Sequence, residues 1–64
     1  MQIPSIEKIK DICNRTGKQS MKQARIIRAF LEALEAEDLS TEDAFDTAQD
    51  VERVVQYMHS EELE

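Results

Sequence analysis

Apolar residues recur along this 64-residue chain at intervals of three and four in three separate stretches. No stretch alternates with the period of two that a half-buried strand needs, and no Asn-Gly or Asp-Gly turn appears. In the first stretch Ile6, Ile9, Ile12 and Cys13 share a helical face, with Ser5 placed as N-cap and Pro4 unable to continue a helix backwards. Gly17, the one glycine, predicts the end of this helix in a left-handed position, which gives helix one at about 6–16. In the second, Ala24, Ile27, Leu31 and Leu34 form a stripe broadened by Ile26 and Phe30. Ser20 and Gln23 fit a capping box at its start, a start near Lys18 reads equally well, and helix two is set at about 20–37. The pattern restarts at Leu39-Ser40-Thr41, with Ser40 as N-cap, acids in the first turns and Leu39 placed to staple onto Ala44. Ala44, Phe45, Ala48, Val51, Val55 and Met58 define the inner face of helix three at about 41–59, and 60–64 form a frayed tail.

The fold expected is all-α: residues 1–64 as a single compact three-helix domain, with a short first helix and longer second and third helices packed antiparallel through a short connection at Asp38. A chain this short buries only about 60% of the surface its unfolded form exposes, so a second core has no room. Domains of this size need disulfides, a metal, oligomerisation or very regular helix packing. One cysteine excludes an internal disulfide, and Cys13 with His59 falls short of a four-ligand zinc site. Oligomerisation is the support left, and a homodimer is expected. Phe30, Leu31, Leu34, Val51, Val55 and Met58 are the side chains assigned to its core or to a partner or dimer interface.

Charge adds a second pattern. Residues 1–31 carry a net +5 and residues 32–64 a net −11, summing to −6 for the chain. A protein polarised in this way meets different surroundings at its two ends. Lys18, Lys22 and Arg25 lie opposite Ile27 and Leu31 on the helical wheel, with Arg28 at the flank. Such a stripe is ordinarily a solvated face, but it could also contact phosphates, and helices one and two joined through Gly17 could be read as a helix-turn-helix with Gln19, Gln23 and Arg25 as base readers. Residues 6–37 resemble, in helix pattern alone, the helical hairpin that opens bacterial HU-type nucleoid proteins, whose β-arms have no counterpart here. On helix three Asp43, Asp46 and Asp50, continued by Arg53 and Tyr57, form an outer row suited to solubility, to a basic partner surface or to the basic stripe of a neighbouring copy.

Little in the chain suits catalysis. Glu52 and His59 lie near the apolar face of helix three but two turns apart, about 10 Å along the axis, too far for mutual proton transfer. Cys13 is read as a small core hydrophobe among the isoleucines. The acids lack the alternating oxygens and central glycine of a calcium loop, and neither a phosphate-cradling glycine loop nor a serine triad can be assembled. No enzyme activity, cofactor, metal or small-molecule substrate is expected. The longest apolar runs fall far below the roughly 20 residues of a membrane span, and the chain opens without the pattern of a signal peptide, which points to the cytoplasm. The function expected is that of a small helical interaction module, a regulator, inhibitor or adaptor acting on a protein partner. The alternative is a nucleic-acid-binding transcriptional regulator using Lys18, Lys22, Arg25 and Arg28.

Overall fold

A computed structural model describes residues 1–63 and shows three α-helices and, among those residues, no strand: α1 Ile6–Cys13, α2 Ser20–Ala36 and α3 Thr41–Glu62. Ser5 caps α1 in extended conformation, its Oγ accepting from the Lys8 N–H at 3.1 Å. The helix ends earlier than Gly17. Asn14 adopts the left-handed conformation (φ 52°) and its N–H bonds the Asp11 carbonyl at 3.1 Å, because asparagine tolerates that region well enough to close the helix when it comes first. Gly17 (φ 100°) instead shapes the link to α2. Ser20 is not the N-cap expected from the sequence but the first helical residue. Its hydroxyl donates to the Gly17 carbonyl at 2.9 Å, closing the tight turn that launches α2, and Gln19 before it makes no side-chain cap.

The corner between α2 and α3 is defined by local chemistry on both sides. Asp38 takes φ 60°, its N–H bonds the Glu35 carbonyl at 2.9 Å, and the Leu39 N–H reaches back to the Leu34 carbonyl at 3.1 Å. This paired closure is a Schellman motif with aspartate in the position that usually holds glycine. Two residues on, Ser40 and Asp43 form a reciprocal capping box: the Ser40 Oγ accepts from the Asp43 N–H at 3.2 Å, and the Asp43 carboxylate accepts from the Ser40 N–H at 3.1 Å. Leu39 and Ala44, the expected staple pair, are both half-buried. The third helix continues through Glu62, so 60–62 are helical where fraying was expected; Glu64 lies outside the described residues.

Packing is confined to α1 and α2. Ile9 from α1 and Ala24 and Leu34 from α2 are the buried hydrophobic residues, at 4%, 2% and 7% exposure, and Ser20 is buried beside them. Arg28 ties the N-terminal segment to this pair, its guanidinium donating to the Pro4 carbonyl and, at 2.9 Å, to Glu32. The antiparallel packing of α2 on α3 expected from the short connection is absent: α3 buries no residue and makes no extended contact with either other helix. A short link brings two helix ends together but does not set the angle between them. Here the Schellman and capping-box pair sets it, and the helices diverge from the corner.

The outcome is an open molecule of 39 × 32 × 15 Å. Its radius of gyration is 13.4 Å, against about 11 Å for a compact globule of this length. The accessible surface is 5458 Å², about 1,250 Å² more than the roughly 4,200 Å² expected of a compact monomer of this mass. The compact arrangement expected from the sequence is therefore not the one this single chain adopts.

Candidate interaction surface

The inner faces of α2 and α3 meet in an open apolar cleft. Near the corner a cavity of ≈ 370 Å³ is lined by Ile27, Phe30 and Leu31 from α2 and by Thr41, Ala44, Phe45 and Ala48 from α3. It continues outward into a second hollow of ≈ 240 Å³ between Ile26, Ile27 and Phe30 on one side and Ala48 and Val51 on the other. Beyond Val51 the helices have separated, and Val54, Val55 and Met58 stand in solvent on α3 alone. Phe45 is 70% exposed and Met58 52%. Large side chains left wet at this density are costly.

The residues assigned to an interface from the sequence divide three ways. Phe30, Leu31 and Val51 line the cleft. Leu34 is buried, which makes it part of the α1–α2 core and unavailable to a partner. Val55 and Met58 lie on the distal part of α3, past the end of the cleft. Ile26, Ala44, Phe45 and Ala48 belong to the surface and were readable as apolar-face positions, yet small alanines and a flanking isoleucine carry little weight in a hydrophobic stripe, and Phe45 lies at the far edge of its arc. Val54 is absent from the set expected from the sequence. It sits at the edge of the apolar arc and is 57% exposed.

The basic stripe is reduced. Arg28 is half-buried and committed to Pro4 and Glu32, which takes it out of any phosphate-binding set. Lys18 lies in the turn before α2, Lys22 and Arg25 are exposed on α2, and none of the three forms an ion pair among the described residues. Arg15 lies at the mouth of a shallow hollow with Gln23, Ile26 and Ile27, so positive charge borders the apolar cleft on the α2 side. On the outer row of α3, Asp43 is occupied by the capping box, Asp50 pairs with Arg53 at 3.1 Å, and Asp46 is exposed.

Cys13 is exposed, not part of the core, because α1 ends at that residue and no further layer covers its last turn. Glu52 and His59 are both exposed, and Glu52 accepts from Gln56 at 3.4 Å. Among the described residues no three His, Cys, Asp or Glu side chains gather as a metal site, and no helix is long and apolar enough to cross a membrane. Comparison with known proteins finds no matching family, no similar curated protein and no similar solved structure.

Proposed function

We propose that this chain is a non-enzymatic helical interaction module, a regulator, inhibitor or adaptor that binds protein through the facing apolar sides of α2 and α3 and that self-associates. One observation carries the reading: a 22-residue helix with an apolar stripe along its length has no buried residue, and only Ala44 of that stripe is half-buried. A groove between two amphipathic helices takes an amphipathic helix as its natural occupant, since side chains at intervals of three and four fit such a groove. A reducing compartment such as the cytoplasm suits the lone exposed thiol of Cys13.

The test uses the dye anilinonaphthalene sulfonate, which fluoresces on open apolar surface, together with sedimentation velocity over a wide concentration range. At low concentration the chain should bind the dye, and Phe30→Ser combined with Val51→Ser should remove most of that signal while circular dichroism stays helical. Absence of dye binding together with absence of self-association at every concentration would overturn the reading.

A nucleic-acid-binding regulator is the second reading, favoured by Lys18, Lys22, Arg25 and Arg15, all exposed and without an ion pair among the described residues. It requires duplex affinity that falls steeply with added salt and that disappears when those four residues become glutamine. The seven acids of α3 oppose it, by repelling a phosphate backbone brought near that arm.

A further inference from the structure

Resting on the interaction-module reading, the geometry points to a specific occupant of the cleft: we infer that it is α3 of a second copy, inserted reciprocally so that the two third helices pack antiparallel about a two-fold axis at Val51. Each cleft would then hold the other copy's third helix between its own α2 and α3.

Four observations lead there. The first is area. If pairing brought each chain to the surface of a compact protein, about 2,500 Å² would be buried in total, within the roughly 2,000–5,000 Å² of obligate homodimers. Domains are built from at least two packed layers, and here α1 packs on α2 while α3 has no layer over it, so a second copy supplies the missing one.

The second is the width of the apolar arc on α3. At about 100° per residue the arc runs from Val54 through Met58, Val51, Ala44, Val55 and Ala48 to Phe45, spanning roughly 180° with Glu52 and His59 falling between Ala48 and Phe45. A single neighbouring helix covers less than that, so α2 alone could not shield it even if the corner closed. Reciprocal insertion gives α3 two helical neighbours, α2 of the other copy and its own counterpart.

The third is the order of side-chain sizes. Along the α3 arc, Phe45 at its edge apart, the small residues Ala44 and Ala48 come first and the larger Val54, Val55 and Met58 come last. Antiparallel pairing about Val51 sets Ala44 opposite Met58, seven positions to either side, and Ala48 opposite Val54, three to either side. Large side chains thereby meet small ones, the arrangement that fills a helix interface without voids. Parallel pairing would set small against small and large against large. An isologous contact about a two-fold axis is also the commonest oligomer symmetry.

The fourth is charge. The third helix, rich in acids, would lie beside the α2 face bordered by Arg15, which carries no ion pair among the described residues. One contact runs the other way. Glu52, next in sequence to Val51, comes near its own copy across the axis, so the arrangement predicts one charge that opposes assembly.

The experiment uses the full chain carrying Cys13→Ser, so that the native thiol cannot cross-link. Light scattering after size exclusion should give the mass of two chains. Val51→Asp should weaken the dimer on the order of 100-fold, by placing two charges at a dry axis. Glu52→Gln should tighten it severalfold. Under mild oxidation Val51→Cys should form an intermolecular disulfide with itself, and Ala44→Cys mixed with Met58→Cys should form the crossed one. Gln49→Cys, on the outer side of the helix, should form none. Because α3 contributes no residue to the α1–α2 core, these changes leave that core intact, and circular dichroism checks this. A monomer at the highest soluble concentration that still binds the dye would overturn the second copy as occupant and leave the interaction-module reading standing; a monomer without dye binding would overturn both. A dimer in which Val51→Cys stays reduced would overturn the antiparallel arrangement.

Discussion

The first two helices and the third are built from similar materials and end up in opposite situations. The eight-residue α1 places Ile9 in a core with Ala24 and Leu34, whereas the 22-residue α3 buries no residue. Length and apolar content therefore do not decide which helix is packed. What separates them is how each is attached. The α1–α2 unit is closed by a local turn at Gly17 and Ser20 and by Arg28 reaching the carbonyl of Pro4, a contact distant in sequence that holds one element on another. Every polar contact of α3 among the described residues is local: the capping box, Thr47 donating to the Asp43 carbonyl at 2.8 Å, Arg53 to Asp50, and Gln56 to Glu52. At 22 residues it exceeds the roughly 12–15 below which isolated helices are marginal, so it can persist as a helix without a tertiary partner.

This contrast is sharpest at Leu34. Truncation to alanine should cost about 3 kcal/mol, the typical result of emptying a buried leucine site, and should unfold the α1–α2 unit in urea monitored by circular dichroism. An effect under about 1 kcal/mol would mean that the unit is not packed as described. Next in size is the corner. Asp38→Val should destabilise by about 1.5 kcal/mol, since a β-branched residue resists positive φ, and Asp38→Gly should instead stabilise by about 0.5 kcal/mol; thermal melts of the two variants should shift in opposite directions. Removal of the Ser40 cap by alanine should cost about 1 kcal/mol, appearing as faster amide exchange in the first turn of α3 with little change in α1. The smallest effect is expected on the outer arm. At concentrations where the chain is monomeric, Val55→Ser should alter stability by no more than about 0.5 kcal/mol, and a larger loss would show that α3 is packed within the chain after all.

Much of the local structure was legible. Ser5 and Ser40 announced two helix starts because a cap is a short-range event, decided by one hydroxyl and the N–H groups three residues on. Gly17 misled because helix closure goes to the first residue able to take a left-handed conformation, and Asn14 precedes it. The corner had a readable signal in Leu34 and Leu39, spaced as the apolar pair that accompanies a Schellman motif, with Asp38 between them. The divergence of α2 and α3 was not legible. Periodicity identifies which face of a helix is apolar, but one sequence does not say whether that face is covered from within the chain. The same gap explains why Leu34 was grouped with Val55 and Met58: all three sit on apolar stripes, and only the packed unit shows that one of them is already covered.

The corner at Asp38 also acts as a lever. The third helix is about 33 Å long at 1.5 Å per residue, and it is anchored to the rest of the molecule almost solely through that link. A rotation of about 10° at the corner would sweep the far end through roughly 6 Å, about half a helix diameter. Backbone changes too small to disturb the α1–α2 core are thus enough to widen or narrow the gap into which another helix must slide, which makes the conformation of one aspartate a gauge of the thickness of what the protein can grip.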